Sequence, residues 1–333
     1  MALSAAGGPV EQVSVGDLIQ KKRTGWLLEG VVEWIIRLTA LSSILLLIGI
    51  LLLLAKEGIP LFTEKGYSVW RFIAYGNAVT DNTTDPNNFD FGIKAPLLGT
   101  LWVTLVAVVF AVPLALGTAI FISEVAPPKV RLIIKSTAEV LAGVPTIIFG
   151  FVGLALVVPF FAEHVYTKSW VTNTLGEGAA GGLSGLTAGF VIAFITVPLI
   201  VSIADDALQA VPRDFKENAY ALGCNKLQAV VFVIFPAAIS GITAAVMLGV
   251  ARAIGETMAV LILAGGKSSV PEGPADSMRT MTATIATGFG NASDQSLVRP
   301  ALFMTGAVLF IITFVTTVIA DAVLERQRKK FAR

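Results

Sequence analysis

Six long apolar runs, separated by stretches that carry the charge, set the pattern of this chain. Leu38–Ala55 is eighteen residues without a charge, Ala95–Ser123 twenty-nine, Val140–Ala162 twenty-three, Gly178–Ala204 twenty-seven, Leu227–Ala251 twenty-five and Pro300–Ala320 twenty-one. An α-helix rises about 1.5 Å per residue, so about 20 apolar residues cross a hydrocarbon layer about 30 Å thick. The pattern therefore predicts an all-α membrane protein with six transmembrane helices. The head of the fourth run, GAAGGLSG, is too rich in glycine for helix. Pro145 and Pro198 are expected to kink the third and fourth spans. After Arg252 and Glu256 the fifth run resumes as TMAVLILAGG.

The connections give an orientation. With the N-terminus placed in the cytoplasm, the cytoplasmic segments hold 14 Lys and Arg and the outer segments 8. The positive-inside rule then puts both termini in the cytoplasm. The first run begins well inside the chain, which reads as an uncleaved first span rather than a cleaved signal peptide. Residues 56–94 and 265–299 are expected as polar outer loops; Asn82-Thr83-Thr84 and Asn291-Ala292-Ser293 within them read as ordinary loop triplets. The first 25 residues read as mobile, and GWLLEGVVEWIIRL, with two Trp, as an amphipathic interfacial lead-in. The domain reading is 1–32 as a cytoplasmic N-terminal segment, 33–325 as the six-helix transmembrane domain, and 326–333 as a basic cytoplasmic tail.

Composition narrows the class. Hydrophobic residues make up 55% of the 333 and charged residues 14%, against roughly 25% in an ordinary soluble domain, and the mean hydropathy is +0.80. This excludes a disordered chain. The formal net charge of +1 leaves no footprint for nucleic acid. A lone Cys224 and a lone His164 exclude an internal disulfide and a Cys/His metal site.

The most informative connection is DDALQAVPRDFKENAYALGCNKLQAVVFVIFP, residues 205–236. Pro212 stops one helical turn. Asp214 is the expected N-cap of a short helix over Phe215–Leu222, Gly223 its C-cap, and Cys224 the start of a second helix toward Pro236. Such a helix–Gly–helix elbow is a knob that a soluble partner can grip. Glu217, Ala219 and Gly223, followed by Val233, Phe235 and Pro236, resemble the EAA motif of ABC-importer permeases, with Asn218, Val233 and Phe235 departing from its usual residues. The resemblance implies the type I (MetI-like) permease fold and a loop that docks into the ATP-binding subunit. Glu217, Ala219, Gly223 and Pro236 are the coupling residues.

The fifth run contains GVARAIGETMAVLILAGG. Arg252 and Glu256 sit at i, i+4, on one face if the helix is continuous. A charge there costs about 2.5–3.5 kcal/mol on insertion scales, so both must face a polar interior. They read either as a mutually neutralising pair or as an anion site, in which a planar guanidinium offers two parallel donors to an oxyanion. Glu256 could accept a hydrogen bond from the O–H of hydrogen phosphate, or serve as the partner that holds Arg252 and offsets its charge, which is the preferred reading. RAIGE is similar to the span-5 motif of permeases for phosphate, sulfate and molybdate, and its continuation TMAV resembles the PstC-type phosphate branch. FGIKAPLLGTLWVT, AVPLALGTAIFISEVAP and LAGVPTIIFGFVGL agree with it, and the resemblance covers roughly residues 30–325. Arg252 and Glu256 are the expected substrate-pathway residues; Thr257 and Thr146 could donate hydrogen bonds in that pathway, or bond back to their own helices. The resemblance places them in a permease. It also implies a non-catalytic subunit that binds no cofactor itself, with ATP and Mg on partner subunits. The implied partners are a second, PstA-type permease, two ATP-binding subunits, an extracytoplasmic phosphate-binding protein and the lipid bilayer of a prokaryotic cytoplasmic (inner) membrane, and no nucleic acid. A sulfate or molybdate permease is the alternative of the same class, and a stand-alone secondary anion transporter that of another class.

Other features are set aside. Gly265-Gly266-Lys267-Ser268 resembles a P-loop tail, but Leu261 stands where the first glycine belongs. The stripes Ala237, Gly241, Ala245, Gly249, Ala253 and Gly181, Gly185, Gly189 allow close helix packing, within the chain or with another subunit. Cys224 reads as an inert neighbour of the elbow and His164 as an interfacial residue. Glu139, Asp205 and Asp206 read as solvated helix ends.

Overall fold

The computed structural model describes residues 15–74, 76–77, 84–87, 89–168, 171, 174–175, 181–293 and 296–331, with side chains from Gly30 onward except at 323–324 and 326–331. Residues 1–14 of the expected mobile segment, the Asn82-Thr83 half of one loop triplet, 178–180 of the Gly-rich stretch and residues 332–333 lie outside the described residues. The chain divides into two units, residues 1–53 and 54–333.

The first unit is carried by helix α1, Val15–Gly58, which absorbs the stretch expected to be mobile from residue 15. Ser42 and Ser43 return their hydroxyls to the carbonyl of Thr39 one turn back. The apolar side chains from Val31 to Ile50 are exposed around the helix, the all-round apolar surface of a membrane-spanning segment.

The second unit follows with α2 (Pro60–Thr63), α3 (Val69–Ala74), α4 (Lys94–Ile120), α5 (Pro128–Ala142), α6 (Thr146–Val152), α7 (Val158–Phe160), α8 (Gly185–Gln209), α9 (Arg213–Ala221), α10 (Lys226–Ala229), α11 (Phe235–Gly255), α12 (Met258–Leu263), α13 (Met281–Asn291) and α14 (Val298–Phe331). Among the described residues six helical stretches are long and apolar enough to cross a membrane: Gly30–Thr63, Lys94–Val125, Thr146–Val165, Gly185–Gln209, Lys226–Gly255 and Val298–Ala322. All-α architecture and six spans agree with the sequence pattern.

Among the described residues four wider π-turns interrupt or end the helices, at Phe121–Val125, Gly153–Val157, Phe161–Val165 and Val230–Ile234. Three of them end two residues before a proline, at Pro127, Pro159 and Pro236. At Pro159 and Pro236, where helix continues, proline has no N–H for the carbonyl four residues back and its ring crowds that carbonyl; the wider turn relieves both. At Pro127 the chain has already left the helix, at Ala126. Pro145 breaks the chain outright, with ψ 130 before α6. The third span therefore starts at Thr146, and Val140–Ala142 belong to the separate helix α5. Pro198 lies inside the uninterrupted α8.

The middle of the unit is built from small residues. Ala111, Ala115 and Ala119 of α4, Ala193 and Ala204 of α8, and Ala238 and Ala245 of α11 form one buried cluster with Ile200, Leu208, Ile234 and Ile242. Gly241 abuts Ala207, Gly249 abuts Ile200 and Thr196, and Gly189 abuts Val106. Gly241 and Gly249 of one stripe and Gly189 of the other thus pack within the chain, whereas Ala237 and Gly181 are exposed. A methyl at Gly189 would come within 2.6 Å of Val106, so glycine sets the spacing there.

Residues 56–94 are more than a polar loop. Leu61, Tyr67, Phe72, Phe89 and Phe91 are buried together with Met281, Leu297 and Leu302. Phe89 stacks on Phe91 at 5.7 Å, and the Tyr67 hydroxyl donates to the Phe91 carbonyl at 2.7 Å. The Ile93 N–H donates to the Phe72 carbonyl, which ties this aromatic knot to the start of α4.

Candidate functional site

Arg252 occupies the last turn of α11, which ends at Gly255. Glycine is a poor helix former, and at Glu256 the backbone opens to an extended conformation, φ −67 and ψ 129. Thr257 then precedes α12, which restarts at Met258. Two groups hold the break. The Thr282 hydroxyl, in the first turn of α13, donates to the Glu256 carbonyl oxygen at 2.8 Å. The Glu256 carboxylate accepts from the backbone N–H groups of Thr257 at 3.1 Å and Ala259 at 3.4 Å. It thereby caps α12, whose first N–H groups have no partners within the helix.

This geometry corrects the expected pairing. An i, i+4 partnership needs a continuous helix, and the break turns Glu256, 8% exposed, away from Arg252 toward α12. Among the described residues no carboxylate stands within ion-pair distance of Arg252, and its Nε is buried without a hydrogen-bond partner. A half-buried guanidinium is thus left with open donor capacity beside a gap in the fifth span.

The other expected pathway residues are placed as follows. Thr257 sits at the break, its hydroxyl donating to the Gly255 carbonyl at 3.3 Å. Thr146 opens α6, with Pro145 as the residue before it. That helix lies against α12, Gly150 meeting Ala259 and Ile262. Thr257 is therefore joined directly to Glu256, whereas Thr146 shares only the helix that packs on α12.

Sequence reasoning passed over the floor of this site. Thr280, the N-cap of α13, pairs its hydroxyl with that of Thr282 at 3.0 Å. The Met281 N–H donates to the Thr100 hydroxyl of α4 at 3.0 Å, which anchors the head of α13 to the second span. The alternation of threonines in TMTAT was the available signal.

At the other end of the spans lies the elbow. Helix α9 begins at Arg213 with Pro212 as its N-cap, two residues before the expected start; Asp214 falls in its first turn and caps nothing. Proline at the cap leaves no side-chain acceptor, yet its fixed φ leads into the helix. Gly223 takes φ +85, which a side chain would strain. Asn225 rather than Cys224 starts the next helix, through a capping box with Gln228. Glu217 is exposed and Ala219 buried, so α9 turns one face inward and one outward. Leu222 and Leu227, flanking the bend, are 86% and 72% exposed. Pro236 sits in the first turn of α11, directly after the π-turn.

Asp205 also departs from expectation. It is fully buried near the end of α8, where Arg131 and Lys135 of α5 reach it at 3.3 Å and Gln209 adds a third donor. Asp206 is exposed and pairs with Lys135 at 2.6 Å. The hydrogen bond to Asp206 leads in holding Lys135 above the ordinary lysine value of 10.5, against the opposing effect of burial. Charged residues at helix ends read as solvated; only the fold brings α5 across to cover Asp205.

Comparison with known proteins adds a family. Residues 111–329 match the family described as binding-protein-dependent transport system inner membrane component. That range holds Thr146, Glu217, Ala219, Gly223, Pro236, Arg252, Glu256 and Thr257. The phosphate transport system permease protein PstC of Xylella fastidiosa (strain Temecula1) is 37% identical over 254 residues, covering 74% of this chain and 78% of its own. The probable ABC transporter permease protein YqgH of Bacillus subtilis (strain 168) is 30% identical over 305 residues, 91% of this chain and 94% of its own. Among solved structures, an inward-facing MetNI methionine ABC transporter matches 69% of this chain and 93% of its own with TM-score 0.50 and 16% identity, a likeness of fold.

Proposed function

Because the chain belongs to the family of binding-protein-dependent transport system inner membrane components, on the branch of the PstC phosphate permeases, we propose that it is the permease subunit of an ATP-driven importer of inorganic phosphate. The observation that carries the site assignment is the unpaired Arg252 guanidinium with its buried Nε, beside a break in the fifth span. In apolar surroundings such a charge is costly unless a ligand or partner meets it. A tetrahedral oxyanion is the complement, because guanidinium offers it two parallel charge-assisted hydrogen bonds. Glu256 does not neutralise Arg252; it fixes the break that leaves Arg252 open. Thr257 and Thr146 supply hydroxyls along the route.

The chain works as a non-catalytic subunit in the inner membrane, with both termini in the cytoplasm. A second, PstA-type permease completes the pathway. Two ATP-binding subunits hold ATP and Mg, receive the elbow at 205–236 and supply the energy, and this chain holds no cofactor. An extracytoplasmic phosphate-binding protein delivers the anion to the outer mouth. Closure of the ATP-binding subunits then moves the elbow, and access alternates across Arg252. Outward Glu217 and the exposed Leu222 and Leu227 support the docking assignment.

The test is phosphate uptake by the assembled complex in proteoliposomes. Arg252→Lys keeps the charge but loses the planar two-point contact, so uptake should fall at least tenfold, as should Arg252→Gln. Unchanged uptake in both variants would overturn the site. Competition by excess sulfate or molybdate that abolishes phosphate uptake would move the assignment to another oxyanion.

A further inference from the structure

Helix α9 holds one side-chain tether to another span. The Lys216 ammonium donates to Glu124 Oε1 at 2.6 Å, across 92 residues of sequence. Glu124 lies in the π-turn that ends the second span, and the same oxygen accepts from the Ser123 hydroxyl at 3.0 Å. The Glu124 side chain is 8% exposed and that of Lys216 23%. Lys216 and the buried Ala219 are three residues apart, so they share the inward face of α9, opposite Glu217. Among the described residues no other side chain of Arg213–Ala221 makes a hydrogen bond or ion pair to a different span.

The far end of the second span is tied as well. Thr100 is buried, its hydroxyl donating to the Pro96 carbonyl at 2.8 Å and accepting the Met281 N–H at 3.0 Å. Met281 adjoins Thr282, which holds the Glu256 carbonyl. From Thr100 to Glu124 the helical path measures on the order of 36 Å at 1.5 Å per residue. Between them Ala111, Ala115 and Ala119 pack tightly into the buried cluster with the fourth and fifth spans. A close-packed helix of this kind moves as a unit, because a dense interior has no slack to absorb displacement.

We propose that the second span is a transmission rod, gripped by Lys216 through Glu124 at the elbow and by the Thr100–Met281 hydrogen bond at the break beside Arg252, and that Lys216, Glu124 and Thr100 are positioning residues for coupling. The inference rests on the docking role assigned to the elbow. A partly buried ion pair is a firm link because loss of one partner strands the other charge in a desolvated site.

The experiment measures phosphate imported per ATP hydrolysed, per assembled complex, in proteoliposomes holding the full transporter with its binding protein. Glu124→Gln and Lys216→Met should each lower that ratio at least threefold. The charge swap Glu124→Lys with Lys216→Glu should return it to within twofold of the parent. Thr100→Val should phenocopy Glu124→Gln, and Thr100→Ser, which keeps the hydroxyl, should not. The rod is refuted by parental ratios in Glu124→Gln and Lys216→Met, by a swap that assembles but stays uncoupled, or by a parental ratio in Thr100→Val. Loss of assembly in all the single variants would likewise assign these residues to folding alone and overturn the inference. Failure of the docking role itself reads out separately, as normal coupling in Gly223→Asp.

Discussion

The hydroxyl of Thr282 donates to the backbone carbonyl of Glu256 across 2.8 Å, and both residues are 8% exposed. That carbonyl belongs to the C-cap of α11, where no further turn exists to supply a donor. A buried carbonyl stripped of its partner costs about 1–3 kcal/mol. Thr282→Val keeps the shape and removes the donor, so it should loosen the break while the rest of the core stays packed. Uptake per assembled complex should fall severalfold, and Thr282→Ser should restore it. Equal uptake in Val and Ser variants would separate this bond from transport.

Arg252 and Glu256 should behave as independent residues. A mutually neutralising pair predicts that Arg252→Gln and Glu256→Gln rescue one another, because each single change strands a charge. The break instead predicts that Arg252→Gln abolishes uptake without harming assembly. Glu256→Ala should weaken the cap of α12 by about 1 kcal/mol. The double variant should then be as inactive as Arg252→Gln alone. Recovery of uptake in the Arg252→Gln, Glu256→Gln double variant would reinstate the pair.

The spans were legible in the sequence because hydrocarbon thickness fixes how many apolar residues a helix needs, and that is a local property. The elbow was legible for a similar reason: Pro212, Gly223 and Asn225 act on their own backbone. The unpaired state of Arg252 was not. Spacing of i, i+4 implies contact only along an unbroken helix, and what ends α11 at Gly255 includes Thr282, a residue from another element. Asp205 and Lys216 failed to stand out for the same reason, since their oppositely charged partners lie 70 or more residues away. The aromatic knot of residues 61–91 was hidden by the polar turn residues between its rings.

Lys135 makes the α5–α8 junction sensitive to high pH. Its folded-state pKa is raised, led by the hydrogen bond to Asp206, so the stabilisation is fully present below 10.5 and is lost as pH rises through the higher folded value. Thermal unfolding of the detergent-solubilised complex should therefore show a loss of stability above pH 10.5 that is smaller in Lys135→Met. An identical alkaline slope in both proteins would remove Lys135 from this junction.

Asn87, exposed in the connection between the first and second spans, tests the orientation. In a Cys224→Ser background, Asn87→Cys should react with a membrane-impermeant maleimide added from outside the cytoplasmic membrane. Reaction only after the membrane is opened would reverse the topology and put the elbow on the wrong side for an ATP-binding partner.

Gly223 is the sharpest test of the elbow. Its φ of +85 lies in the left-handed region, where a residue with a β-carbon pays about 1–2 kcal/mol, and no atom outside its immediate chain neighbours lies within 4 Å of where that carbon would sit. Strain and crowding are therefore separable here. Gly223→Ala should cost a modest amount of stability through the backbone alone and still transport, because nothing in this chain obstructs the methyl. Gly223→Asp adds a charge to a bend whose neighbours Leu222 and Leu227 are exposed apolar side chains. Burying that carboxylate in a cleft of the ATP-binding subunit carries a desolvation cost that the alanine variant does not. The expected result is assembly with ATP hydrolysis that no longer drives uptake in Gly223→Asp, and coupled transport in Gly223→Ala. If the two variants lose transport equally and in proportion to lost stability, the bend matters for folding only. If Gly223→Asp transports normally, the elbow does not enter the partner.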